Sequence, residues 1–451
     1  MKNSQFLLSQ TPMLLAALCL SCNALAKQSD TSLMGTVLTP MGSIMAANAD
    51  GSIPVWTGGL AKDAAPVTEE GRYTSPFADE APLFVVNANN LEEYRDLMTE
   101  GQIAMLQRYP TYQLNVFPTH RSINIPADVV EQTKKNLTDT QMTSDGYGVE
   151  NYHYGIPFPQ PTVGLEVIWN HLTRYRGGSL NRVFSSATVK PNGEPLIVTY
   201  EAINAFRESV SDLPPGDSLL NFSRITTLAP ARMAGEITLV HDSLNQVEEP
   251  RAAWQYNPGQ RRVRRAPVVA YDSSARYSYG QVVSDSVDGF NGAPDRYNWE
   301  LIGKQELLVG YNAYNLIDRN LKYTDIINPG HLATQHSRFE KHRVWVVEAT
   351  LKEGARHVYA KRRFYIDEDS WKIMASDIYD SRGQLWRQYE SHLVFLHDIQ
   401  VPVTAIEVTY DLHSGQYATN YMINEAPRKA IYGESYPRSE FTSAKLKRLG
   451  K

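Results

Sequence analysis

The chain has 451 residues, of which 21% are charged, 42% hydrophobic and 10% aromatic, and it carries a formal net charge of -5. This is a globular composition with ample sequence for a buried core; it excludes collagenous, wholly disordered and polytopic membrane classes. The acidic balance gives no bulk attraction for nucleic acid.

Residues 1–26 open with one charge, Lys2, continue into an apolar stretch over 13–20, and end Ala24-Leu25-Ala26. This reads as a secretory signal peptide cut after Ala26, too short to be comfortable as a membrane span. Both cysteines, Cys19 and Cys22, lie inside it, so the remaining chain has no thiol or disulfide chemistry. No later run is long and apolar enough for a spanning helix. An exported protein follows, periplasmic and at most peripheral to the outer membrane.

Residues 35–60 are rich in glycine, proline and small side chains, with turn signals at Asp50-Gly51 and Gly58-Gly59. Three helices are expected next. The first starts at Asn90 as N-cap, has Glu93 three residues on, and runs to Pro110. The second starts near Pro126. The third has Thr162 as cap and an apolar face of Leu165, Ile168, Trp169 and Leu172, and ends near Arg174 and Arg176 before Gly177-Gly178. Residues 27–180 thus read as an extended segment plus helices.

From 181 to 451 the pattern is strand. Toward the C-terminus, β-prone runs over 342–351, 357–366, 371–379, 385–399, 401–412 and 416–423 alternate with turns, as in an antiparallel meander. Alternation puts Trp345, Val347, Ala349 and Leu351 on one apolar face, which must meet a helix, another sheet or a ligand.

Arg261, Arg262, Arg264 and Arg265 follow the Asn257-Pro258-Gly259 turn. Guanidinium groups bind oxyanions bidentately, so the run is a candidate for head groups or an acidic partner; its plainer reading is a solvated strand paired with acids such as the Asp367-Glu368-Asp369 turn. The histidines show no ligand spacing, and Asn48-x-Asp50-Gly51 lacks the distal glutamate of a calcium loop, so no metal site is expected. Serine-nucleophile, phosphate-loop and dinucleotide motifs are absent from the sequence. No cofactor and no catalytic residues are assigned.

Several segments resemble one family. They include Asn48-x-Asp50-Gly51-x-Ile53-Pro54-x-Trp56-Thr57-Gly58-Gly59, Pro118-Thr119-His120-Arg121, Gly155-Ile156-Pro157-Phe158-Pro159 and Ile168-Trp169-Asn170-His171. Further on come Trp254-x-Tyr256-x-Pro258-Gly259-Gln260-Arg261-Arg262-Val263-Arg264, His342-Arg343-Val344-Trp345 and Tyr365-x-Asp367-Glu368-Asp369-x-Trp371. On these the chain is identified as a member of the exported domain-of-unknown-function family 1329. More distantly it is similar to LolA/LolB-like lipoprotein-sorting carriers. The resemblance implies an α+β fold: a large, curved, open antiparallel sheet, barrel-like and covered by helices, around an apolar cavity. It also suggests work beside an envelope transporter or outer-membrane protein.

The reading that follows is a binding or carrier protein for a hydrophobic or lipidic ligand. Its expected ligand-binding residues are Trp254, Tyr256, Arg262, Arg264, Trp345, Val347 and Leu351. Two alternatives stay open: a non-catalytic adaptor whose cleft is simply its core, and a hydrolase using Glu348 or Asp367 with a neighbouring histidine.

Overall fold

The computed structural model describes residues 30–266 and 271–450. The expected signal peptide, its cleavage point and both cysteines lie outside the described residues.

The N-terminal part contributes strands β1 (Phe84–Val86) and β2 (Leu114–Val116), helices α1 (Glu100–Arg108) and α2 (Ala127–Asp139), the short hairpin of β3 (Gln141–Met142) and β4 (Val149–Glu150), and helix α3 (Gly164–Thr173). The helix expected from Asn90 to Pro110 is two elements. A 3-10 turn over Leu91–Leu97 comes first, and Asn90 makes no side-chain cap. Its carboxamide instead closes a local turn, accepting from the Asn87 N–H at 2.8 Å and donating to the Val85 carbonyl at 3.0 Å. The capping box sits later, on Thr99 and Gln102, so α1 starts there. Thr162 likewise does not cap α3; its hydroxyl and its N–H both donate to Glu166.

The strand-rich part follows as β5 (Ser179–Val189), β6 (Pro195–Phe206), β7 (Leu219–Ala229), β8 (Ile237–Ser243), β9 (Ala252–Asn257) and β10 (Arg262–Arg265). After a long connection come β11 (Tyr297–Gly310), the one-turn α4 (Tyr323–Ile326), β12 (Phe339–Leu351), β13 (Lys361–Asp367), β14 (Ile373–Tyr379), β15 (Leu385–Leu396), β16 (Val401–Asp411), β17 (Tyr417–Met422), β18 (Ile431–Tyr432) and α5 (Ser443–Leu449).

One 16-stranded sheet holds all of these strands except β3 and β4; its path runs β1-β2-β12-β13-β14-β15-β16-β17-β5-β6-β7-β8-β9-β10, with β11 pairing β12 and β15 and β18 pairing β5 off that path. Two meanders are therefore joined edge to edge where β17 pairs with β5. Every ladder is antiparallel; the parallel pairings are single residue pairs, Phe339 with Val116 and Gly310 with His392. The second of these curls the first meander. Strand β11 pairs along β12, and its last residue also reaches β15. A Cβ on Gly310 would lie 2.4 Å from His392 Nδ1 and 2.9 Å from the Ser391 carbonyl oxygen, so only glycine permits this approach.

The curled half is packed solid. Helix α3 lies against β11 and β12, and Val167, Ile168, Trp169 and Leu172 join Val347, Phe364, Trp371 and Ile373 in a single buried cluster. The apolar face of β12 is thus met by a helix. Trp371 donates its indole N–H to the Met41 carbonyl at 2.9 Å, which draws the extended N-terminal segment onto the same core. On the opposite side α1 packs on β14 and β15, and Asp377 accepts from the first-turn N–H groups of Glu100 and Gly101 at 3.1 and 2.9 Å. At the far edge α5 covers β8, β9 and β10.

The Asp367-Glu368-Asp369 turn is not solvated: these residues are 0%, 2% and 2% exposed. Their partners come from elsewhere than the arginine run. Arg121 binds Asp369 through two nitrogens at 2.7 and 2.9 Å, while Arg343 and Lys304 reach Glu368 at 3.2 and 2.6 Å. Burying such a cluster requires pairing of this kind, because each charge loses its hydration.

Candidate functional site

The second meander differs from the first in what lies on its concave face. Strands β5 to β9, with β16 and β17, line a half-open cavity of about 650 Å³, within the usual size of small-molecule sites. Strand alternation builds its wall. Arg182, Phe184 and Ser186 project from β5, Tyr200, Ala202 and Asn204 from β6, Val240 and Asp242 from β8, and Ala253 and Gln255 from β9. The end of α3 closes one side with Leu172, Arg174 and Arg176.

Residues 271–291 cross the cavity as a strap, lining it with Tyr277, Val282, Val287 and Asp288 among others. The strap is fastened at several points. Thr188 donates to the Tyr277 carbonyl at 3.1 Å, Arg276 pairs with Glu236 at 2.8 Å, and Arg387 donates to the carbonyls of Gly280 and Gln281 at 2.7 and 3.0 Å. Asp285 is held by Arg362 at 2.6 Å and by His357 at 3.2 Å. Burial would raise the Asp285 carboxyl, but the Arg362 and His357 charges outweigh it and hold it near 2.

At the α3 end lies a charged knot. Asp288 accepts two bonds from Arg174, at 2.7 and 2.6 Å, one from Arg176 at 3.1 Å and one from Lys372 at 2.7 Å. Burial alone would push this carboxyl up; the Arg174, Lys372 and Arg176 charges instead hold it well below the ordinary range. Burial lowers Lys372 and, with the neighbouring Arg174, brings Arg176 down to about 10. Glu407, bonded by Tyr389 at 2.9 Å, is raised by burial.

None of the seven residues expected to bind ligand is among those lining this cavity. Trp254 and Tyr256 sit on β9 one residue out of phase with Ala253 and Gln255, so they point to the other face. There Tyr256 is buried, with Trp254 packed beside it, in the cluster that Phe441 and Leu446 close. Val347 is in the core under α3, with Trp345 and Leu351 packed at its margin. Trp345 stacks on Trp371 and carries Lys304 over its ring. Arg262 and Arg264 are exposed on edge strand β10. Arg264 is in register with Gln255 and Arg262 with Asn257, so both lie on the cavity side of the sheet, beyond the cavity itself. No tryptophan is among the lining residues.

The carboxylates of the hydrolase alternative lie elsewhere. Glu348 is taken by Arg363 at 2.7 Å. Asp367, pushed up to about 6 by burial against the pull of His342, accepts from Ser370 and Tyr311 inside the packed half.

The cavity residues that sequence reasoning did not select are Arg182, Asp288, Lys372 and Glu407. Arg182 had a weak signal: it shares strand parity with Leu180 and Phe184, between two large apolar side chains on that face. The other three stand in loops or strands whose neighbours are fixed only by long-range packing.

Fold and site together define an α+β protein on one large curved open sheet, with one half filled by its own side chains and the other lining a half-open cavity. The chain belongs to the DUF1329 family: the family described as "Protein of unknown function (DUF1329)" matches residues 85–447. It is 46% identical over 453 residues to the uncharacterized protein PA3922 of Pseudomonas aeruginosa, covering 100% of both chains. Among solved structures, a DUF1329 family protein from Desulfovibrio piger is similar with a TM-score of 0.41 at 14% identity, covering 60% of this chain and 92% of that one. A LolA superfamily protein, NE2245 from Nitrosomonas europaea, is similar with a TM-score of 0.38 at 12% identity, covering 62% and 98%. Family membership rests on the first two of these matches.

Proposed function

We propose that this protein is a periplasmic carrier for a hydrophobic or lipidic ligand, held in the cavity under β5–β9. The observation that carries the reading is the contrast between the two halves of one sheet. Where α3 lies on β11 and β12 the concave face is filled; under β5–β9 about 650 Å³ is left, walled by Phe184, Tyr200, Ile225 and Val240. Apolar walls with a few placed polar groups suit a small amphiphile, and burial at roughly 25 cal/mol per Å² of apolar area supplies affinity. The strap is anchored at its C-terminal end by Val283 and Phe290 in the packed core, while its first part, over Arg276 to Gln281, is fastened by hydrogen bonds and ion pairs and suits a segment that opens for loading.

Export rests on the leader at residues 1–26. Met41, Ile123, Val129, Phe158 and Trp169, all from residues 30–180, join the core cluster of the sheet, and we take the whole exported chain as one folding unit. Arg262 and Arg264, exposed on the cavity side of an edge strand, are offered as contacts for an acidic partner surface of an envelope transporter or outer-membrane protein.

The test is displacement of a fluorescent fatty-acid analogue from the purified protein, compared with Ile225→Trp, which pushes an indole into the cavity from its wall. Saturable binding weakened in that variant supports the carrier. Binding absent from the parent protein, or unchanged in the variant, contradicts it.

A further inference from the structure

The charges facing the α3 end of the cavity do not balance. Arg174, Arg176, Arg182 and Lys372 all line it, against the carboxylates Asp288 and Glu407. Asp288 is already engaged by Arg174, Arg176 and Lys372. Arg176 is further fixed by the carbonyls of Leu172 and His171, at 2.9 and 3.2 Å. The remaining cation, Arg182, has no acidic partner among the described residues, and its Nε is buried without a hydrogen-bond partner. What supports its guanidinium is aromatic: the carbon at its centre lies 4.1 Å from the ring centre of Tyr421 and 4.9 Å from that of Phe184. Rings hold a guanidinium in place while leaving its N–H groups unspent.

Tyr421 is itself specially placed. Its φ is +69°, in the left-handed region that a bulky side chain rarely adopts. It stands where the pairing of β17 with β5 shifts register between Thr419 and Met422. A bulge re-aims a side chain, here against Arg182, and such a backbone outlier persists where the surroundings hold it and clusters at ligand sites. An orphan buried donor, a ring turned to brace it and an excess of local positive charge thus converge on one spot of the cavity wall.

We propose that Arg182, braced by Tyr421 and Phe184, is the head-group subsite of this cavity, and that the ligand is an amphiphile with an oxyanion head, a carboxylate or a phosphate, on an apolar body. The inference rests on the carrier reading and narrows its ligand class. The head docks at Arg182, with Arg176 adding longer-range attraction, while the apolar body lies along β6–β8. A neutral hydroxyl can accept a single bond from Arg182 but forfeits the charge-assisted, bidentate gain of an oxyanion.

The experiment is calorimetric titration of the delipidated full-length protein with dodecanoate, dodecyl phosphate and dodecanol. At least one of the two anions is expected to bind about 10- to 100-fold more tightly than dodecanol, the range set by a charge-assisted hydrogen bond. Which anion wins identifies the head. Arg182→Gln is expected to abolish that preference by weakening the anions to about the affinity of dodecanol, while Arg182→Lys keeps part of it. Equal affinity for all three probes in the parent protein overturns the head-group assignment and leaves the carrier standing. Failure of every probe, dodecanol included, overturns both. The parent comparison needs no variant, so it stands even where Arg182→Gln does not fold.

Discussion

Replacing Asp288 with asparagine removes the anion that holds Arg174, Arg176 and Lys372 together at the end of the cavity. Asparagine keeps the shape but supplies no charge, so three largely buried cations face one another. Breaking a buried ion pair by deleting one partner costs about 3–5 kcal/mol, because the charge left behind is neither hydrated nor paired. The matched control is Glu348→Gln. Its partner Arg363 is about one-third exposed, and water screens such a pair to about 1 kcal/mol or less. Urea denaturation at pH 7 reads both as shifts of midpoint at constant slope. The contrast also depends on pH. Asp288 titrates well below its ordinary value in the folded protein. Its contribution is therefore fully present above its unfolded pKa, near 4, and is lost as pH falls below that. The gap between parent and Asp288→Asn is expected to be constant from pH 7 to about 5 and to narrow in stronger acid. A loss no larger than that of Glu348→Gln, or a gap that does not change with acid, would refute the reasoning.

Other outcomes follow from the same contacts. Gly310→Ala forces a methyl group onto His392 and Ser391 and is expected to lower stability by about 1–3 kcal/mol, as overpacking does, in thermal or urea melts. Trp345→Ala is expected to weaken the packed half while leaving displacement of the fluorescent fatty acid unchanged, since Trp345 stacks on Trp371 away from the cavity. Arg387→Met frees the carbonyls of Gly280 and Gln281, so trypsin cleavage at Arg276 and ligand exchange are both expected to quicken. Asp367 and Asp377 are pushed up to about 6 by burial. The folded state binds their protons more readily than the unfolded one, so the stability of the parent relative to Asp377→Asn is expected to rise as pH falls from 7 toward 5, read as the difference between their melting temperatures across that range.

Much of the fold is legible along the chain, and particular residues show why. The runs over 342–351 and 401–412 become β12 and β16 because period-two alternation between turns is a local signal. The expected strand over 357–366 starts only at Lys361, since His357 and Tyr359 are drawn to Asp285 and Arg387 instead. The break between the 3-10 turn and α1 turns on a rival capping box at Thr99 and Gln102, downstream of Asn90 and Glu93. The site was less legible for a plain reason. Alternation says that Trp345 and Val347 share a face, and Trp254 and Tyr256 another; it does not say which face a helix will cover. Helix α3, almost wholly buried, takes the first, and α5 takes the second. The cavity goes to the complementary residues, Ala253 and Gln255, and to a sheet region whose mixed polar and apolar alternation looks unremarkable. Asp288 and Lys372 meet there only through the fold.

The most direct measurement is native mass spectrometry of the protein isolated from its native cells without detergent, followed by solvent extraction and identification of what is released. The expected result is a stoichiometric mass excess that leaves with solvent, carries an acidic head group, and is reduced in Ile225→Trp. A bare mass, with no uptake of amphiphile on exposure, would contradict the carrier and direct attention to cross-linking for a protein partner.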